Sequence, residues 1–205
     1  MQTSTCSDDA VLGKPGSSYL AESAPGVLVH PSAYQGLAVD HWLLSAHPVP
    51  AQARQEWSDN KVALLPLGTL CSAVRLPARL VHAVACCGNP ADIDAFLDDA
   101  LDGGPIICDP RGPRYYALVP ASMPTTWRDA AEEWRPLGVD CLGRGTYLGV
   151  PRVDIVEFDP QTYVSYWAVP MSSAAALCTP LGVARLIAAG KRALTEDAVA
   201  GIEPA

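Results

Sequence analysis

The segment GPIICDPRGPRYYALVP, residues 104–120, carries the strongest fold signal in this chain, because two strand-like runs flank a tight turn. Ile106–Cys108 is a short apolar run, and the aromatic and apolar run Tyr115–Val119 ends at Pro120. Between them, residues 109–112 read Asp-Pro-Arg-Gly, an order in which proline presets φ and glycine closes a β-turn. The pattern predicts a β-hairpin.

A glycine-rich strand follows the hairpin, in the segment VDCLGRGTYLGVP at residues 139–151. The block from residue 104 to residue 151 is otherwise apolar, so its remaining polar residues stand out. They are Asp109, Arg111, Arg114, Asp140 and Arg144. We expect them at turns and strand ends, where binding sites are commonly built.

The rest of the chain alternates helical and strand-like patterns without a strict β-α order. Helical spacing predicts helices over residues 32–46, 50–57, 77–87 and 90–101, near Trp127–Trp134, and after Thr179-Pro180. Strands are predicted over 61–67, 70–76, 153–158 and 163–169. Helices gather in the first half and hairpins in the second. This order favours an α+β fold with a mixed or antiparallel sheet and helices packed on it; a doubly wound parallel sheet is the alternative.

Composition predicts one folded domain. The chain has 205 residues, of which 49% are hydrophobic and 18% charged, which is ample material for a core. We expect a flexible lead at 1–25, a single α+β domain at 26–195 and a frayed tail at 196–205. No apolar run is long enough for a membrane span, and the N-terminus has no apolar signal core. The expected compartment is the cytoplasm.

The net charge of −8 argues against a dedicated duplex-DNA binder, because such proteins carry a basic patch or stripe. The arginines and lysines are scattered instead. Five aspartates cluster in or beside the predicted helix 90–101, and an Asp-x-Asp pair there would suggest divalent ions. On a helix, however, residues i and i+2 point in different directions. We therefore interpret this cluster as a solvated helix face.

The seven cysteines match no disulfide framework and no zinc spacing, so we expect reduced thiols and no structural metal. No histidine lies near Cys108 or Cys141 in sequence, and no G-x-S-x-G element surrounds Ser72. A nucleophilic enzyme is therefore not indicated.

Several segments together resemble the primase/polymerase domain of the archaeo-eukaryotic primase superfamily, and most of all small proteins of this type from high-GC bacteria. These segments are the Trp42-Leu43 helix, the Trp57 helix, the turn at residues 65–69, the 104–151 block and the aromatic run Tyr163–Trp167. The resemblance spans roughly residues 40–170. It implies an RRM-like core and a role in DNA replication.

The chain departs from the family pattern where catalysis would occur. The resemblance places the catalytic Asp-x-Asp on residues 70–75, which read LCSAVR and contain no carboxylate. Arg114 or Tyr115 replaces the motif histidine, and only Asp140 matches a motif aspartate. Two-metal nucleotidyl transfer needs several anionic ligands. We therefore expect no polymerase activity and no cofactor, with Mg²⁺ only if Asp140 still supports nucleotide binding.

Two hypotheses remain. In the first, the chain is an inactive primase/polymerase-like module that binds a nucleotide, a nucleic-acid end or a partner protein through Arg114, Asp140 and Arg144. Tyr115 and Tyr147 would stack on a base. In the second, it is a small regulatory or interaction protein with no ligand site, using its acidic surface and Trp-rich helices. Convergence of Arg114 and Arg144 beside Asp140 would favour the first hypothesis.

Overall fold

The computed structural model describes the backbone of residues 21–24, 27–29 and 31–200, and side chains within 35–196. The strands are β1 (Ala21–Ala24), β2 (Val27–Val29), β3 (Val62–Pro66), β4 (Cys71–Pro77), β5 (Ile106–Asp109), β6 (Arg114–Pro120), β7 (Asp140–Leu142), β8 (Tyr147–Pro151) and β9 (Tyr166–Val169). The α-helices are α1 (Pro31–Leu44), α2 (Pro50–Asn60), α3 (Ala78–Ala85), α4 (Pro90–Ala100), α5 (Met123–Thr126), α6 (Arg128–Trp134) and α7 (Pro180–Ala200), and Arg135–Leu137 is a 3₁₀ turn.

Strands β1 and β2 form an antiparallel hairpin of their own. It belongs to a unit separate from the one that contains the sites, and β1 lies in the segment 1–25 predicted as a flexible lead, of which residues 1–20 and 25 lie outside the described part. The other unit spans residues 35–205 and contains the sites described below. At its C-terminal end, α7 continues to Ala200, into the predicted tail; residues 201–205 lie outside the described part.

A five-stranded sheet in the order β7-β4-β6-β5-β9 forms the centre of the larger unit. Every described pairing in it is antiparallel. The predicted α+β class with an antiparallel sheet is confirmed, and the doubly wound parallel alternative is wrong. The β5–β6 hairpin is also confirmed. At its turn, Asp109 Oδ1 accepts hydrogen bonds from the backbone N–H groups of Arg111 and Gly112, at 3.2 and 3.1 Å.

Both faces of this sheet are covered, because alternate residues of each strand point to opposite sides. One face carries Leu76, Tyr115 and Tyr166 and packs on a core that includes α3, α4 and α7. The other face carries Ala73, Leu118 and Trp167. This second core also includes α1, α2 and the two-stranded antiparallel ribbon β3–β8.

The predicted strand at residues 153–158 is wrong, since these residues form turns and bends, and the strand predicted from residue 163 begins only at Tyr166. Asp159 explains the later start of the second of these strands. Its carboxylate accepts hydrogen bonds from the Gln161 backbone N–H at 2.9 Å and from the Thr162 hydroxyl at 2.7 Å. This local turn leaves Tyr163 with a φ of +51°, which a strand cannot accommodate.

No helix in the described part of the chain combines the length and the apolar character needed to cross a lipid bilayer.

Candidate functional site

The five residues predicted to bind a ligand do not converge on one site. Arg114 and Tyr115 line a cavity on the side of the sheet covered by α3, α4 and α7. Asp140 lines a different cleft, beside α6. Arg144 lies exposed in the β7–β8 connection, and Tyr147, at the start of β8, is 64% exposed. Arg114 and Arg144 therefore do not meet beside Asp140.

Asp140 instead pairs with an arginine that the sequence interpretation did not single out. Arg75 on β4 and Asp140 on β7 are direct register partners, and the guanidinium of Arg75 binds the Asp140 carboxylate. About a third of each side chain is exposed, so the pair is half-buried. Arg75 belongs to the segment on which the family resemblance expects two carboxylates. A cationic side chain thus occupies the neighbourhood predicted for metal ligands.

The cleft beside this pair has a volume of about 490 Å³ and is rich in arginine. Arg128 begins α6 and Arg135 opens the 3₁₀ turn that continues it, so the two lie seven residues apart on one helical face. Both line the cleft together with Arg75. We call this surface the arginine cleft, defined by Arg75, Arg128, Arg135, Glu132 and Asp140.

Aromatic packing holds α6 against the sheet. Trp134, at its end, is 9% exposed, and its ring lies 6.3 Å from that of Trp127, measured between centroids. Pro124 of α5 packs close to Gly143, where an added Cβ would lie 2.9 Å from the proline ring. Trp134 belongs to the core that includes α3, α4 and α7, and Pro124 lies against the residue that follows β7, so α5 and α6 border this end of the sheet.

The arginine cleft carries a local positive charge on an acidic protein. Its lining contains three guanidinium groups and two carboxylates. Arg135 and Glu132 form a largely exposed ion pair, with 3.9 Å between their nitrogen and oxygen atoms. Among the described side chains, Arg128 has no acidic partner within 4.0 Å. Such a cleft can bind an anion, because guanidinium forks match phosphate and carboxylate oxygens.

No described group of three or more histidine, cysteine, aspartate or glutamate side chains is arranged to hold a metal ion. Around Asp140 the available partner is Arg75, and β4 offers no carboxylate. The guanidinium groups of the cleft can bind an anionic group by charge and hydrogen bonds.

Sequence reasoning missed Arg75, Arg128 and Arg135 for different reasons. The spacing of Arg128 and Arg135 was visible, but nothing in the sequence placed that helix face beside Asp140. Arg75 attracted attention only because it lies in residues 70–75, where the resemblance expects carboxylates. Its role depends on the β4–β7 register, which pairs residues 65 positions apart.

The second cavity lies on the opposite face of the sheet, has a volume of about 200 Å³ and contains Arg114 and Tyr115. Desolvation raises the pKa of Cys108, on its floor, to about 12. Burial also raises the pKa of Asp94 to about 7, although the Tyr166 hydroxyl, 3.2 Å from Asp94 Oδ1, acts in the opposite direction.

No protein-family model, no curated protein and no solved structure matches this chain.

Proposed function

We propose that the chain is a catalytically inactive primase/polymerase-like module that binds the phosphate groups of a nucleotide or of a nucleic-acid end in the arginine cleft. One observation carries the proposal: Arg75 pairs with Asp140, the one family aspartate that the sequence retains. A magnesium ion at Asp140 would have to compete with a guanidinium already in place. A phosphate group of a ligand, in contrast, would bind the guanidinium charge that the two carboxylates of the cleft do not neutralise.

The arginine content of the cleft favours phosphate over a neutral ligand. Arg128 is exposed and has no acidic partner among the described residues, so its five N–H donors are available. The net charge of −8 repels long polyanions at a distance, which favours a nucleotide or a strand end over an extended duplex. The reducing cytoplasm is part of the proposal, and the six free thiols in the described chain support it.

Titration of ATP and of a short 5′-phosphorylated oligothymidine tests the proposal, in low salt and with EDTA or Mg²⁺. We expect binding that does not require Mg²⁺ and weakens as salt increases. Arg128→Gln should weaken it about tenfold, which equals ~1.4 kcal/mol. Arg192→Gln is the matched control, because Arg192 is an exposed arginine on α7. Absence of binding to the wild-type protein, or equal losses in both variants, would refute the proposal.

The second candidate is a regulatory or interaction protein without a ligand site. It is favoured by the separation of Arg114 from Arg144 and by two exposed apolar side chains on the β3–β8 ribbon, Leu64 and Tyr147. Its tryptophan argument is weaker, because Trp57 and Trp134 are buried. Failure of both phosphate ligands to bind would favour this candidate.

A further inference from the structure

The cavity around Tyr115 is separate from the arginine cleft. Tyr115 is the register partner of Leu76, whereas the next residue, Tyr116, is the partner of Arg75. Neighbouring residues of a strand point to opposite faces, so the two sites lie on opposite sides of the sheet. A ligand in one does not contact the other. We call the site around Tyr115 the tyrosine cavity.

Aromatic rings form much of the wall of the tyrosine cavity. Phe158 lies between two tyrosines, with ring centroids 5.5 Å from Tyr163 and 6.1 Å from Tyr166. Tyr163 is 47% exposed at the mouth, whereas Tyr115 and Tyr166 are buried below it. A cavity of about 200 Å³ with this lining favours a flat ring, because aromatic side chains offer both faces and edges for packing.

A few polar groups converge on the same space. His82 is exposed at the mouth, and its Nε2 lies 3.4 Å from the Tyr115 hydroxyl. The Tyr166 hydroxyl donates to Asp94 at 3.2 Å. A mostly apolar cavity with a small number of converging polar groups is the usual form of a small-molecule site.

The charge at the mouth comes from Arg114. This residue is exposed, lines the cavity and has no ion pair among the described side chains. Its register partner is Asp109, but that carboxylate is directed at the turn. Oδ1 accepts two backbone N–H groups, and Oδ2 lies so near Gly112 that a Cβ there would be 2.5 Å away. Arg114 is therefore free to bind an anionic group on a ligand.

We propose that the tyrosine cavity binds a small aromatic carboxylate, with its ring against Phe158 and Tyr163 and its carboxylate on Arg114 and His82. This function is additional to phosphate binding and does not depend on it. The ring would gain from apolar burial, and the carboxylate would gain a charge-assisted hydrogen bond at the rim.

Calorimetric titration with indole-3-carboxylate and benzoate tests the proposal, with benzamide as the neutral comparison. We expect saturable binding of the carboxylates and about tenfold weaker binding of benzamide, as expected for loss of one charge-assisted contact. Arg114→Gln should reduce carboxylate affinity to the benzamide level, whereas Arg192→Gln should not. Absence of saturable carboxylate binding to the wild-type protein would overturn the proposal.

A blocking variant locates the site independently of charge. Gly88 lines the mouth, its φ is not positive, and an added Cβ would meet nothing within 4 Å. Gly88→Leu should therefore fold normally and abolish carboxylate binding by filling the mouth. Gly36→Leu is the matched control, because a Cβ at Gly36 also enters open space. Unchanged binding to folded Gly88→Leu would contradict the proposal; if that variant did not fold, Arg114→Gln would decide.

Discussion

Arg75 and Asp140 face each other directly across strands β4 and β7, and their side chains form an ion pair at the arginine cleft. The pair joins a central strand to the edge strand of the sheet. Half-exposed ion pairs contribute little stability, about 0.5–1 kcal/mol, since water screens them. Its main consequence is that the Asp140 carboxylate has the guanidinium of Arg75 as its cationic partner.

Replacing Arg75 with an acid should reverse the preference of this site. Arg75→Asp places two carboxylates opposite each other, so we expect a lower melting temperature in EDTA and a partial recovery with Mn²⁺, which bridges carboxylate oxygens. Arg75→Asn is the control, because it removes the ion pair without adding a negative charge. Thermal denaturation with and without Mn²⁺ measures both. If Mn²⁺ raised the melting temperatures of both variants equally, the result would contradict the placement of residue 75 beside the Asp140 carboxylate.

Gly68 should not tolerate a side chain, because the Gly143–Gly145 turn packs against it. Its φ is +89°, and an added Cβ would overlap the backbone N and Cα of Arg144. We expect Gly68→Ala to lower the free energy of unfolding by about 2–4 kcal/mol, the sum of backbone strain and overpacking. Gly145→Ala isolates the strain, since Gly145 has a φ of +87° with no atom near its Cβ position. It should cost only about 1 kcal/mol. Urea denaturation of both variants tests the difference, and equal losses would refute the contact.

Gly190 allows helix α7 to approach α3. A Cβ at this position would lie 2.5 Å from Leu80 Cγ and Cδ2. Gly190→Ala should therefore destabilise the fold by about 1–3 kcal/mol, although alanine is the better helix former. In Gly36→Ala, where the Cβ meets open space, the same change should stabilise by about 0.5–1 kcal/mol. Opposite shifts in melting temperature are expected, and a stabilised Gly190→Ala would show that the helices can separate at little cost.

Asp94 should make stability decrease with pH. Folding raises its pKa from 3.8 to about 7, so the folded state holds a proton that the unfolded chain releases across this range. The free energy of unfolding then falls as pH rises from about 4 to about 7. Because the carboxyl is partly exposed, we expect an effect of about 1 kcal/mol.

The comparison variant for this pH effect is Asp94→Asn, which keeps an acceptor for Tyr166 and cannot ionise. Its stability advantage over the wild-type protein should grow between pH 4 and 8. His82, whose pKa is lowered by desolvation, produces the opposite trend near its titration and cancels in this comparison. Denaturation of both proteins across this pH range provides the measurement. A constant difference would contradict the burial assigned to Asp94.

Local patterns predicted much of the fold. The apolar runs around Asp-Pro-Arg-Gly led to the β5–β6 hairpin, and prolines at helix starts located α2 and α4. The late start of the strand predicted from residue 163 has a local cause too. The turn built by Asp159 depends on side-chain hydrogen bonds that apolar periodicity does not register.

Residue type and short-range spacing were enough to predict the α+β class and the β5–β6 hairpin, and the sequence shows no carboxylate at residues 70–75. Which charged side chains pair, in contrast, can be read only from the folded chain. In the folded chain Asp140 pairs with Arg75, Arg128 and Arg135 line the same cleft, and Arg114, at the start of β6, lines the tyrosine cavity. Strand register explains the Arg75–Asp140 pair, because the pairing of distant strands sets which side chains stand opposite each other and on which face they lie.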